Sequence, residues 1–198
     1  AGAVSGTLTL GNGGTAGVLA VAAGGALSLA GTLTADGAVG DLVRNAGTVS
    51  ASGTGTLAGV TVAGGGKLLA AGANTLNLQS ATVSGGALAA TGGGVIQTVD
   101  RASVLAGVAI LAGGTVTVAN NTSLTLQGAL ANAGTLLLAS ANNYTALAAA
   151  GAVTLQGGTV QLSDNFENRI TSNGAAATLA NAGLIQGAGR LGDGDGNF

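Results

Sequence analysis

The side chains in this sequence that could bind a metal ion stand near its end. Asp193, Asp195 and Asn197 alternate with glycine. Oxygen ligands at alternate positions begin the loops that curl around calcium in many proteins. The later ligands of such a loop would follow Phe198, the last residue here, and the glycine-rich calcium nonapeptide occurs nowhere else. The spacing makes Ca²⁺ the one cofactor to consider, and a flexible Gly-Asp turn is the simpler interpretation.

Two acidic residues three positions apart could form a catalytic pair. Asp164 and Glu167 resemble the paired carboxylates that hydrolyse glycosidic bonds, a chemistry that some parallel β-helices perform. Such a site needs a groove with several acids and aromatic side chains, whereas this segment contains only Phe166. The chain has no His and no Cys, which excludes Ser–His and Cys–His nucleophilic catalysis. We therefore expect no catalytic residues and a protein that is not an enzyme.

The composition favours a thin aliphatic core. Of 198 residues 39 are glycine, none is proline, and only three are aromatic. The five Lys and Arg residues are scattered and the net charge is −2, so no basic face for nucleic acid is predicted. Polar residues and glycine interrupt every run of about 18 residues that could span a membrane. These features favour narrow coils over a broad globular core.

A short cassette returns along the chain: a small residue, glycine, any residue, and then alternating aliphatic residues. It begins at positions 24, 46, 65, 85, 113, 133, 157 and 182. A repeat of this length, made of a turn and a two-residue alternation, indicates stacked coils. The sequence predicts an all-β fold: a parallel β-solenoid of eight or nine coils with about 20–25 residues each, forming one domain over residues 1–198. Because the pattern is already running at Ala1, we expect a fragment of a longer protein.

Short runs of period two, such as Thr75–Gln79 and Thr115–Val118, predict strands with one buried face. The alanine-rich segment Thr145–Ala150 has helix propensity, but it is shorter than a stable isolated helix and lies between strand patterns. A strand is therefore predicted there, with a helix as the alternative. Asn45, Asn132 and Asn181 each precede Ala-Gly in the cassette, which predicts a stacked asparagine ladder at one corner.

Two polar stretches interrupt the repetition. The longest step of the cassette, from Gly85 to Gly113, predicts an insertion near Gly92–Gly94 or at Asp100 and Arg101. Insertions in solenoids lie at corners, where they do not disturb stacking. The second stretch, Asp164 to Arg169, is the most charged segment of the chain. The predicted partner-contact residues in the two loops are Asp100, Arg101, Asp164, Phe166, Glu167 and Arg169.

Pairs of threonines raise the question of ice binding, which uses flat ranks of threonine. Examples are Thr7 with Thr9 and Thr115 with Thr117. Thr61, however, stands alone between valines, and other coils carry Ser, Asn, Gln or Ala instead. Threonine as an ordinary strand-surface residue is therefore the favoured interpretation.

The segments 153–165, 168–170 and 178–192 resemble the repeats of filamentous-haemagglutinin-like adhesins and autotransporter passengers, the large surface β-solenoids of Gram-negative bacteria. The resemblance is good over about residues 150–192 and loose elsewhere. It implies a right-handed β-helix, export to the cell surface or medium, and a role in adhesion, biofilm or fibres. It brings no catalytic residue.

We accordingly predict a non-catalytic structural or adhesive module of an extracellular or outer-surface bacterial protein. Its expected partners are host or neighbouring-cell glycans or proteins, and further copies of itself joined end to end into fibres. A carbohydrate-active or glycan-binding β-helix, similar to a lyase or a phage tailspike, is the alternative function, and an ice-binding solenoid is the third.

Overall fold

Alternation of aliphatic and small polar residues forms the strands, and it buries every second side chain. The computed structural model describes residues 1–198 and contains 23 strands and no helix. In the strand Thr115–Val118, for example, Val116 and Val118 are buried while the two threonines are half-buried. All strand pairings are parallel, and each strand pairs with the strand one coil further along the chain. The predicted parallel β-solenoid is confirmed, with about nine coils of about 22 residues.

The strands form three parallel faces, which the chain visits in the order I, II, III. Coils 1 to 9 are numbered here by their face I strands. Face I contains β2 (Thr7–Leu10), β5 (Thr32–Ala35), β8 (Thr54–Ala58), β11 (Thr75–Gln79), β14 (Val95–Thr98), β17 (Thr115–Val118), β19 (Thr135–Leu138) and the starts of β21 (Thr159–Ser172) and β23 (Leu184–Leu191).

Face II contains β3 (Val18–Val21), β6 (Leu42–Asn45), β9 (Thr61–Ala63), β12 (Thr82–Ser84), β15 (Ser103–Ala106), the starts of β18 (Ser123–Asn132) and β20 (Thr145–Leu155), and the ends of β21 and β23. Face III contains β1 (Gly2–Val4), β4 (Ala26–Leu29), β7 (Thr48–Ala51), β10 (Lys67–Ala71), β13 (Ala87–Thr91), β16 (Ala109–Ile110), the ends of β18 and β20, and β22 (Thr178–Asn181).

The core is a narrow aliphatic column along the axis. A cluster of 38 buried residues, made only of Leu, Val, Ile and Ala, runs from Val4 to Ile170. The register places similar side chains above one another in successive coils: Leu33 pairs with Leu57, and Leu57 pairs with Leu78. Such stacking places every inward side chain against neighbours from the coils on either side, so apolar burial and the backbone ladder stabilise the same arrangement.

Glycine forms two columns where the chain turns. Gly25, Gly47, Gly66 and Gly86 stack at the corner between faces II and III, and Gly114, Gly134, Gly158 and Gly183 stack at the corner between faces III and I. From the second member of each column onward, a Cβ would collide with the coil before it: one on Gly47 meets the carbonyl oxygen of Gly25, and one on Gly134 meets that of Gly114. The missing side chain is what lets successive coils approach at these corners.

The predicted insertion after Gly85 is wrong. Ala87 pairs with Ala109 and Ile96 pairs with Val116, so coil length stays ordinary through this region. The cassette has changed corner instead: its first four copies lead into face III strands, and its last four lead into face I strands. The long step is therefore a shift in where the glycine turn falls within the coil.

The alanine-rich segment is a strand, as predicted. Residues Thr145 to Ala150 begin β20; Ala146 to Ala150 pair with β18, and Ala146 to Ala149 are buried. The fold contains no helix of the length and apolarity needed to cross a lipid bilayer. The right-handed winding that the resemblance implies stays a prediction.

Candidate functional site

Charge is concentrated at the corner between faces I and II, called the charged corner below. Five of the seven acidic residues lie there: Asp36, Asp41, Asp100, Asp164 and Glu167. The two polar loops that the sequence presents as separate are at this same corner, in coils 5 and 8. Stacking therefore brings both predicted contact segments to one edge of the rod.

A tyrosine joins the two segments. The guanidinium carbon of Arg101 lies 5.4 Å from the centre of the Tyr144 ring, and that of Arg169 lies 5.1 Å from it. Arg169 also makes ion pairs with Glu167, at 3.1 Å, and with Asp193, at 3.3 Å. We call these five residues the Tyr144 cluster. Two cation–π contacts, each worth about 0.5–2 kcal/mol, tie coils 5, 7 and 8 together at the surface.

Hydrogen bonds hold the arginine from coil 5 in place. Arg101 donates from Nε to the Asn121 carbonyl oxygen at 3.2 Å and from its terminal nitrogen to the Asn121 side chain. The preceding carboxylate, Asp100, accepts from the Ser80 hydroxyl at 2.6 Å and from the Ala102 N–H at 3.1 Å. The corner is thus cross-linked from coil 4 to coil 6, and Arg101 is fixed while staying exposed.

The phenol of Tyr144 stands in an environment that favours its neutral form. Partial burial, followed by the negative charge of Asp193, raises its pKa above the usual value near 10. Its hydroxyl is 3.5 Å from Asp193 Oδ2, which also accepts a 2.9 Å hydrogen bond from Thr171. At neutral pH the cluster therefore presents a neutral ring flanked by two cations and bordered by carboxylates.

The remaining predicted contact residues face outward beside this cluster. Phe166 is 59% exposed, and the Arg190 guanidinium lies 5.7 Å from its ring centre. Asp164 is exposed, whereas Glu167 is half-buried against Arg169. Neither carboxylate lines any of the five surface depressions. The arrangement offers an exposed aromatic and charged surface for contact.

The candidate calcium residues make hydrogen bonds of different kinds. Asp193 belongs to the Tyr144 cluster, while Asp195 accepts from the Asn197 N–H at 3.0 Å and from its side-chain amide at 2.8 Å. The Asn197 hydrogen bonds lower the pKa of Asp195. No group of three or more acidic side chains is arranged to hold a metal ion. Calcium binding stays a prediction, and the local geometry is that of a capped turn.

A buried polar column, which the sequence interpretation missed, supports the charged corner from inside. It consists of Thr98, Thr122, Thr145 and Asn168, each at most 5% exposed. The Thr98 and Thr122 hydroxyls bond to each other, and Thr145 accepts from the Asn121 N–H at 3.2 Å. Thr98 follows Leu78 in register, so a hydroxyl replaces an aliphatic side chain in the core. A threonine at a position where the alternation predicts an aliphatic residue was the sequence signal that could have revealed the buried column.

The asparagine ladder predicted from the cassette is wrong. Asn45 lies between faces II and III, whereas Asn132 and Asn181 lie between faces III and I with coil 7 between them. Asn45 and Asn132 instead repeat one local motif. Each accepts from the N–H two residues on, at 3.2 and 3.1 Å, and donates to a carbonyl oxygen of the next coil, Lys67 or Thr159.

Together these features define the chain as a β-solenoid repeat protein whose conspicuous side-chain cluster lies at the charged corner and on the adjoining part of face II. Comparison of the chain with models of protein families, with curated proteins and with solved structures finds no match.

Proposed function

We propose that this chain is a non-catalytic structural and adhesive segment of a bacterial protein that acts outside the cell or on its outer surface. The solenoid serves as a rigid shaft, and the charged corner carries the contacts. One observation supports this most: segments from coils 5, 7, 8 and 9 meet in the Tyr144 cluster, with Phe166 exposed beside it. Aromatic and arginine side chains together dominate the energies of protein interfaces.

The partner in this proposal is a glycan or protein on a host or neighbouring cell. An exposed ring edged by guanidinium groups and carboxylates can stack against a sugar or an aromatic side chain and donate hydrogen bonds to its polar groups. The resemblance of residues 150–192 to surface adhesins agrees with this choice, because Phe166 and Arg169 lie within that range.

Adhesion should depend on the charged corner and on no other part of the surface. Beads coated with the purified protein would be tested on epithelial monolayers and on a printed glycan panel. Arg101→Ser and Phe166→Ser should each reduce bead retention about tenfold, the effect of losing a contact worth ~1.4 kcal/mol. Arg44→Ser removes an exposed cation on face II, and Leu111→Ser removes an exposed apolar residue at the corner between faces III and I, so both serve as controls outside the charged corner.

Equal retention of wild type and both corner variants would refute the assignment of contact to this corner. The glycan panel also addresses the alternative function, a carbohydrate-active β-helix. Release of shortened, soluble glycan from the panel would replace the structural proposal with an enzymatic one.

Self-association end to end is part of the same proposal. A stack of parallel coils presents unpaired backbone groups wherever it stops, and such edges pair readily with other strands. Electron micrographs of the purified protein should show long uniform fibres about as thick as one solenoid. Isolated short rods at high protein concentration would remove fibre formation from the proposal and leave the adhesive shaft.

A further inference from the structure

Face I carries ranks of threonine that the proposed adhesive function does not use. One outward column contains Thr54, Thr75, Val95, Thr115, Thr135 and Thr159 in coils 3 to 8. The next outward column contains Thr7, Thr32, Thr56, Asn77, Gln97, Thr117, Leu137, Gln161 and Gln186 in coils 1 to 9. Thr61, whose isolation argued against such ranks, lies on face II and says nothing about this face.

The face is uncharged from end to end. None of its nine strands or strand portions contributes an Asp, Glu, Lys or Arg, although the chain has 12 such residues. Its amides bond along the column, from Gln97 to Asn77 at 3.0 Å and from Gln186 to Gln161 at 2.6 Å. These bonds run parallel to the axis, so they hold the side chains in straight ranks.

The chemistry of the face excludes most occupants. A protein interface is anchored by aromatic, Met or Arg side chains, and face I has none. Nucleic acid requires cations, which are also missing here. What remains is a first column that is threonine in five of its six coils, with a repeat of about 4.8 Å from coil to coil. Beside it runs a second column in which threonine alternates with asparagine, glutamine and one leucine. Each hydroxyl can donate and accept, so the ranks can hold water in an equally regular layer.

We propose that face I binds ice. The threonine ranks order a layer of water that is continuous with the surface of an ice crystal. Because the face has no charged side chains, no hydration shell of an ion disturbs that layer. This function is separate from adhesion at the charged corner, because face I and the Tyr144 cluster share no residue.

The test is thermal hysteresis of the purified protein, together with its incorporation into a growing ice hemisphere. Wild type should arrest ice growth and enter the ice. Thr115→Lys puts a charge in the middle of the first column and should abolish most of the hysteresis. Thr61→Lys is the matched control, since Thr61 is equally half-buried in a strand of face II, and it should behave as wild type.

A repair variant keeps the proposal falsifiable if Thr115→Lys disturbs folding. Val95 is the one break in the first column, so Val95→Thr should increase the hysteresis. Exclusion of wild type from the ice would overturn the proposal, as would equal losses in Thr115→Lys and Thr61→Lys when circular dichroism shows both variants folded. None of these results bears on bead adhesion, so the two functions can fail separately.

Discussion

Replacing Gly66 with alanine should destabilise the protein by about 3 kcal/mol, whereas the same change at Gly65 should cost almost nothing. The two glycines are adjacent, and neither has a positive φ, so backbone strain is not the difference between them. The difference is space. A Cβ on Gly66 would lie 2.5 Å from the Gly47 carbonyl oxygen and 2.6 Å from Asn45 Cγ, while a Cβ on Gly65 meets no atom within 4 Å.

The collision at Gly66 cannot be relieved without breaking or stretching a hydrogen bond. The Gly47 oxygen accepts the Lys67 N–H at 2.8 Å, so moving it stretches the ladder between two coils. Asn45 is 4% exposed and donates to the Lys67 carbonyl oxygen at 3.1 Å, so it cannot swing outward without losing a buried hydrogen bond. Gly65→Ala should even stabilise slightly, by up to about 1 kcal/mol, because alanine restricts the unfolded chain.

Urea unfolding followed by far-ultraviolet circular dichroism measures both variants under one protocol. The midpoint for Gly66→Ala should fall clearly below that of wild type, and the midpoint for Gly65→Ala should match or exceed it. Gly134→Ala tests the second column in the same way, since its Cβ would lie 2.7 Å from the Leu111 carbonyl oxygen. If Gly65→Ala and Gly66→Ala have the same urea midpoint, close approach of the coils is not the reason that glycine is needed at position 66.

The coil itself could be predicted from the sequence because its determinants are local. Two-residue alternation sets which side chains point inward, and glycine marks where the chain turns. The corner occupied by each turn could not be predicted in the same way, because it depends on the lengths of all three faces in a coil. The cassette therefore gave the right repeat length, but it hid the change of corner between Gly86 and Gly114.

The candidate site illustrates the same limit. The sequence indicated Arg101 and Arg169 as members of polar loops, and both are in the cluster. Their meeting at Tyr144 depends on the register of several intervening coils, and a shift of one residue in any of them would turn a side chain to the opposite face. Tyr144 was the only tyrosine in the chain, but no local pattern places it two coils from Arg101.

The buried column beneath the corner was missed because its members look like strand residues. Thr98, Thr122 and Thr145 occur in ordinary alternating contexts, and only register shows that Thr98 occupies an inward position. Asn168 is the most connected member. Its Nδ2 lies 2.8 Å from the Ser163 carbonyl oxygen and 3.1 Å from those of Asn165 and Ala188, while its Oδ1 accepts from the Ser140 N–H at 3.2 Å.

Replacing Asn168 with aspartate should therefore destabilise the protein by about 3–5 kcal/mol at neutral pH. The new side chain has the same shape, but an ionised carboxylate cannot donate to the three surrounding carbonyl oxygens. Burial and these oxygens should raise the pKa of the introduced carboxyl above its unfolded value near 3.9. A group whose pKa is raised by folding destabilises the folded state as pH rises through the folded pKa, so the deficit should be smaller near pH 4 and larger near pH 7.

Urea midpoints of wild type and Asn168→Asp across pH 4 to 8 give the measurement. Asn165→Asp is the matched control, because Asn165 lies at the same corner and accepts the Glu167 N–H, a role that a carboxylate keeps. Its only side-chain donation is to Asn142 at the surface, so its cost should stay below about 1 kcal/mol. A pH-independent deficit in Asn168→Asp would mean that the site admits water or relaxes, and that the buried column does not fix the corner on which the Tyr144 cluster is built.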